Sequence, residues 1–153
     1  MTRLRGVGLA VGVAAFATSS VALGAELSAH ATRTTTIRLA QTHLGKILVS
    51  PSGATLFMFT RDRANTDACA RINGCSTVWP VLKSEGTLTA GRGLRSALLS
   101  TIKLSSGARQ VSYDGHPLYT YSLSTSPGDT SYVGANEFGG RWYALDAAGR
   151  AVK

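Results

Sequence analysis

Two short stretches set the pattern of the chain. From Leu56 the residues run Leu-Phe-Met-Phe, and from Leu118 they run Leu-Tyr-Thr-Tyr. Successive side chains of a strand point to opposite faces, so Leu56 and Met58 share one face and Phe57 and Phe59 the other. Leu118 and Thr120 oppose Tyr119 and Tyr121 in the same way. Both faces are largely apolar, which predicts strands covered on both sides. Each stretch follows a turn signal. Asp114-Gly115 between two strand-like runs favours a type I′ hairpin, and Ser52-Gly53 predicts the same. Pro117 cannot donate a ladder hydrogen bond, so its strand is expected at an edge or a bulge. The β-branched run Thr34 to Thr42 predicts a first strand. Trp142 to Leu145 predicts a late one, ending in the turn Ala147-Ala148-Gly149. Helical periodicity is weak except over Leu94 to Ile102. The expected class is mostly β.

The two stretches belong to a longer correspondence. Ile47 to Asp62 aligns with Arg109 to Ser124 at an offset of 62 positions, Val49 meeting Val111, Gly53 Gly115, and Leu56 Leu118. Trp79 to Gly86 then aligns with Trp142 to Gly149 at an offset of 63, both reading Trp-x-x-Leu-x-x-x-Gly. Two blocks in the same order at nearly one offset indicate an internal repeat present twice, about 45–86 and 107–149. A unit of this size buries too little surface alone. The expectation is therefore one pseudo-symmetric domain of two hairpin-plus-Trp-strand units.

The N-terminus predicts export. A basic start, "MTRLR", precedes the apolar run Gly6 to Ala17, and small residues follow. This is the layout of a secretory signal peptide over residues 1–31. The best small-x-small site is Ala29-His30-Ala31, with cuts after Ala22 or Ala25 as alternatives. Residues 32–153 are then the single mature β domain, with no later run long enough to span a membrane. No cysteine precedes Cys69, so no lipid-attachment cysteine is expected and the product should be secreted. The formal net charge is +8, from 16 Lys+Arg and 8 Asp+Glu. Cleavage removes only Arg3, Arg5 and Glu26, so the mature chain stays basic. The basic residues are scattered without a block or stripe. That implies weak attraction to polyanions and no dedicated nucleic-acid surface.

Cys69 and Cys75 are the only cysteines. In an oxidising compartment the expected state is a disulfide closing the short loop "CARINGC" around Asn73-Gly74, contributing roughly 2–2.5 kcal/mol through loop entropy. A metal site would need further ligands. The mature chain offers only His43 and His116, remote in sequence, so neither metal nor cofactor is expected. A redox-active pair more often has Cys-x-x-Cys spacing.

The sequence of motifs now resembles a family. Phe57-x-Phe59-x-x-Asp62 after a Gly-x-x-Leu turn, then Cys-x5-Cys and Trp-Pro, is similar to the bacterial secreted and lipoprotein repeat family with the signature Tyr-x-[Phe/Trp/Tyr]-x-x-Asp. "QVSYDGHPLYTYS" and "FGGRWYAL" resemble its second copy. The resemblance spans roughly Gly45 to Gly149. It implies an exported two-copy domain and no particular activity. Copy one carries Phe57 where the signature has Tyr, while Asp62 matches. Copy two carries Tyr119 and Tyr121, but Ser124 stands in the Asp position. Along the chain, neither copy keeps phenol and carboxylate together. The motif residues Phe57, Phe59, Asp62, Tyr119, Tyr121 and Ser124 are therefore expected to be structural, or to form a ligand face if the tyrosines are open. Asp62 would cap a turn and Trp79 would seat the next strand.

No catalytic constellation is visible: there is no nucleophile elbow, no His-Glu-x-x-His and no phosphate-cradling loop. The segment Thr125 to Gly140 is long for a compact domain and carries Tyr132, Asn136, Glu137 and Phe138. It reads either as a binding loop or as a solvated one. The leading expectation is a non-catalytic exported domain that binds a partner or small ligand at the cell envelope. The alternative is an extracytoplasmic redox or electron-transfer accessory using Cys69 and Cys75 or a bound cofactor.

Overall fold

The β-branched run expected as a first strand is realised as β1 (Thr34–Thr42), which turns back into β2 (Gly45–Val49). In a computed structural model, the described residues are Thr2 and 33–153. The expected signal peptide and its cleavage site lie outside the described residues. The remaining strands are β3 (Phe57–Phe59), β4 (Thr87–Ala90), β5 (Leu99–Lys103), β6 (Arg109–Tyr113), β7 (His116–Pro117), β8 (Asn136–Glu137), β9 (Gly140–Leu145) and β10 (Ala151–Val152). A single-turn α-helix, α1 (Cys75–Val78), and two 3₁₀ turns, Cys69–Arg71 and Ser96–Leu98, lie between them. The chain is mostly β, as its alternation predicts.

The duplication is visible in the pairing. The hairpin β1–β2 of the first copy matches the hairpin β5–β6 of the second, both antiparallel. Here the expectation of helix over Leu94 to Ile102 is corrected. That stretch holds one 3₁₀ turn, Ser96–Leu98, and then enters β5. The antiparallel pairing of β5 with β6 outweighs a faint helical period. The turns divide likewise. Asp114 and Gly115 both have positive φ (50° and 78°), as a type I′ turn requires. In the first copy only Gly53 does (φ 91°), because Gly53 N–H closes a turn onto Ser50 C=O across Pro51 and Ser52. Pro51 suits the second position of that turn, and a left-handed glycine follows it. β7, with Pro117, is an outer strand of its sheet, where the missing N–H costs least.

The copies do not fold side by side; they interleave. β3 of the first copy pairs with β9 of the second, Phe57 opposite Ala144 and Phe59 opposite Trp142. Reciprocally, Tyr119 of the second copy pairs with Val81 of the first, and Thr120 N–H donates to Pro80 C=O at 2.9 Å. Between these two exchanges, Phe57 and Tyr119 bond to each other. Phe57 N–H donates to Tyr119 C=O at 2.9 Å and Tyr119 N–H to Phe57 C=O at 3.0 Å. A local two-fold relation runs through that pair of equivalent residues. Four runs of chain therefore lie adjacent: the first Trp strand, the second aromatic strand, the first aromatic strand and the second Trp strand.

The two faces of this layer bury the two sets of side chains expected from the period of two. Leu56 and Leu118 join Ile37, Leu48, Val111, Tyr113 and Leu145 on one side. Phe57, Phe59, Tyr119, Trp79 and Trp142 join the half-cystines on the other. Gly140 is needed where β9 begins, since a Cβ there would stand 2.6 Å from the Phe59 ring. Cys69 and Cys75 form the expected disulfide, both sulfurs buried in the aromatic cluster.

Because each copy supplies a strand to the other, residues 33–86 made alone should lack cooperative unfolding and dispersed amide resonances. Mixing them with residues 87–153 should restore both. Replacing Cys69 and Cys75 together with Ser should lower stability by about 2 kcal/mol in denaturant titration while leaving the far-UV spectrum unchanged.

Candidate functional site

The exchange of strands carries a side chain of one copy onto the motif of the other. Tyr119, fully buried, directs its hydroxyl into the loop that follows β3. There it lies 3.0 Å from Asp62 Oδ2 and 2.9 Å from Asp67 Oδ1. The expectation that phenol and carboxylate are kept apart is thus corrected. They are separated along the chain and joined in space. Asp67, absent from the sequence reading, completes the group.

Each carboxylate is also held by backbone. Asp62 Oδ1 accepts from Ala68 N–H and Asp67 Oδ1 from Ala70 N–H, each at 2.8 Å. The turn-capping role expected of Asp62 is realised in the first of these bonds. Asp67 Oδ2 is buried and has no hydrogen-bond partner among the described residues.

A phenol has one proton to give and two carboxylate oxygens within reach. Satisfying both short contacts takes a second proton, carried by a carboxyl group. Burial pushes the Asp62 carboxyl from its ordinary 3.8 up to about 7, and the nearby Asp67 charge adds to the rise. The Ala68 N–H and the Tyr119 hydroxyl act the other way without cancelling it. Burial and the two neighbouring carboxylates push the Tyr119 phenol well above its ordinary range, so it stays protonated.

The joint related by the local two-fold is built from the same positions with different residues. Phe57 replaces the phenol, Ser124 replaces Asp62, and Asp129 stands where the first copy has Asp67. Ser124 Oγ donates to Asp129 Oδ2 at 3.3 Å, and Asp129 Oδ1 accepts from Ser131 N–H at 2.9 Å. That second joint is an ordinary turn. The backbone and side-chain bonds from Ser131 hold Asp129 below its usual carboxylate range.

Next to the three-residue group runs a column of rings. Trp79 and Trp142, equivalent residues of the two copies, stack at 4.0 Å with planes 2° apart. Phe59 stacks on the far face of Trp142 at 4.1 Å, and Tyr121 leans on Trp79 at 4.7 Å. Phe57 meets Trp79 edge-on and Tyr119 meets Trp142 edge-on, both at 5.1 Å. The long segment expected as a binding or solvated loop folds down over this column. Tyr132 lies against Tyr121 with ring centres 3.7 Å apart. Asn136 and Glu137 form β8 against β9, Phe138 packs on the cluster, and Glu137 Oε2 accepts from Trp79 Nε1 at 2.7 Å. Tyr119 is closed from solvent, whereas Tyr121 is partly open.

A cleft of about 360 Å³ opens beside Asp67, between the loop Asn65–Arg71 of the first copy and residues Ile102–Ser106 of the second. Its two-fold counterpart, about 470 Å³, lies between Leu39–His43 and Pro127-Gly128. His43 stands there with Nδ1 3.3 Å from Thr130 Oγ1. His116, in β7, takes no part in either cleft.

A tandem pair of hairpin-plus-Trp units, interleaved around one phenol–carboxylate joint, has a counterpart among known families. The model of the secreted repeat of unknown function matches residues 38–83 and again residues 100–146. The chain belongs to this family. The two matches coincide with the two copies found in the pairing, and the secreted repeat accounts for well over half the chain. No curated protein and no solved structure matches it. Among the described residues, no helix is long and apolar enough to cross a membrane.

The raised Asp62 carboxyl has a measurable consequence for this secreted repeat. Below about pH 4 the group is protonated in both the folded and the unfolded chain, and its stabilising share is complete. Between about pH 4 and pH 7 the unfolded chain releases the proton while the folded chain keeps it, so stability should fall as pH rises through this window. Denaturation midpoints across the window should show that slope, and Asp62→Asn should flatten it.

Proposed function

We propose that this secreted repeat is a non-catalytic exported binding domain, and that its ligand enters the cleft beside Asp67. The observation that carries the reading is the second oxygen of Asp67. It belongs to a residue only 8% exposed, in the cleft wall, and no donor among the described residues reaches it. A buried carboxylate oxygen without a donor costs free energy that an incoming N–H or O–H group recovers. Arg71 and Lys103 also line the cleft and suit an acidic group, while Val81 and Ile102 supply apolar wall. A small molecule bearing both amine or hydroxyl donors and a carboxylate fits this lining. Such molecules are constituents of cell envelopes, which agrees with the expected export.

The segment Tyr132–Phe138 serves in this reading as a cover for the aromatic column. The surface charge gives general attraction to acidic polymers at the envelope. Burial of both sulfurs counts against thiol exchange at Cys69–Cys75 as the working chemistry.

The test is a thermal-shift and native mass-spectrometry screen of the secreted protein with D-alanine, D-glutamate and muramic acid. The reading expects at least one to bind, and Asp67→Asn to abolish the binding while the fold persists. Equal binding by Asp67→Asn, or no binding by any of the three, overturns it. Binding only to acidic polymers, lost steeply with added salt, would replace it with polyanion adhesion.

A further inference from the structure

The aromatic column has a property that packing alone does not require. Tyr132, Tyr121, Trp79, Trp142 and Tyr119 follow one another with ring centres 3.7, 4.7, 4.0 and 5.1 Å apart. All five are Tyr or Trp, the side chains that give up a single electron most readily. Phe57 and Phe59, which do not, flank the column without interrupting it. One end, Tyr121 and Tyr132, is partly open to solvent, and the other end, Tyr119, is fully buried.

The ends also differ in their provision for protons. A phenol that loses an electron must lose its proton to become a neutral radical. At the ends of the column only Tyr119 has carboxyl oxygens within hydrogen-bond reach, at 3.0 and 2.9 Å, whereas mid-column Trp79 shares its Nε1 proton with Glu137 at 2.7 Å and can take it back as the charge passes. Trp142, immediately before it, has a buried Nε1 without a partner among the described residues, so its oxidised ring has no acceptor there and passes the charge on.

We propose that the column is a one-electron relay that carries oxidising equivalents from the Tyr121–Tyr132 pair to Tyr119, which is a redox-active residue. A one-electron oxidant of the extracytoplasmic space, such as a peroxyl radical or a high-valent metal-oxo species, takes one electron from Tyr132. Tyr132 and then Tyr121, both partly open, give their phenol proton to water with the electron and take both back as the vacancy moves on through Trp79 and Trp142, each ring regaining the electron it gave. Tyr119 finally supplies that electron. Its O–H bond breaks, and the proton forms a new O–H bond on the carboxylate of Asp67, while Asp62 keeps the proton it already holds. The products are the oxidant reduced by one electron, a neutral Tyr119 radical and a carboxylic acid. The relay is independent of any ligand in the cleft.

The experiment photo-oxidises the protein recovered from the full chain with tris(bipyridyl)ruthenium and persulfate, and freezes it for electron paramagnetic resonance. The bulky oxidant reaches the open end and not Tyr119. A tyrosyl signal that Tyr119→Phe removes is expected. Survival of that signal's hyperfine pattern in Tyr119→Phe overturns the proposal, while a different pattern there, from the vacancy stranded at Tyr121–Tyr132, supports it. Tyr121→Phe changes one hydroxyl and keeps the ring volume, so it breaks the relay without emptying the core. It should abolish the Tyr119 signal, and Trp79→Phe should do the same while a cross-link between Tyr121 and Tyr132 accumulates. An undiminished Tyr119 signal in Tyr121→Phe overturns the relay even where Trp79→Phe fails to fold.

Discussion

The mutual backbone pairing of Phe57 and Tyr119 is the constraint on which the rest depends. These are equivalent residues of the two copies, and bonding them to each other places the local two-fold between them. From that point the aromatic strand of each copy must take the Trp strand of the other as its outer neighbour. The Trp79–Trp142 stack then follows, because the two indoles are brought to the same side of one layer. Stacked and edge-on aromatic pairs contribute on the order of 0.5–1.5 kcal/mol each beyond their buried area. Six such contacts converge on this layer, so register and packing reinforce each other. A slip of one residue would send the aromatic rings to the aliphatic face.

The same exchange explains why the two joints differ in chemistry while sharing a backbone. Each joint draws its aromatic residue from one copy and its acidic loop from the other. One received a phenol and two aspartates, and the other received a phenylalanine, a serine and one aspartate. In the first, burial and like charge work against ionisation, and a proton is retained on Asp62. In the second, backbone donors keep Asp129 ionised at the surface. Duplication provided two places of equal geometry, and substitution left only one of them able to hold and move protons.

Proton-sharing group, aromatic column and cleft meet on a short path. Asp67 belongs to the first and lines the third, and Tyr119 ends the second. The loop Asn65–Arg71 that forms the cleft wall is braced by the Cys69–Cys75 disulfide and capped by both aspartates. Rigid support of this kind keeps the second oxygen of Asp67 in place without a partner, where a freer loop would turn it out to water.

The amino-acid pattern by itself determined the class, the duplication, the first strand at Thr34–Thr42, the hairpin at Asp114-Gly115 and the division of Phe57, Phe59, Tyr119 and Tyr121 from Leu56 and Leu118. These are local or periodic properties, set by side-chain alternation, turn sterics and similarity between two parts of one chain. The strand over Leu99–Lys103 was not legible, because its pairing partner rather than its own period selects the conformation. The fold-back of Tyr132–Phe138 was not legible either, since it depends on a Trp79 N–H waiting for Glu137. Above all, the union of Tyr119 with Asp62 and Asp67 was decided by tertiary structure alone. Nothing along the chain states that the copies exchange strands, and residues 52 to 57 positions apart become neighbours only when they do.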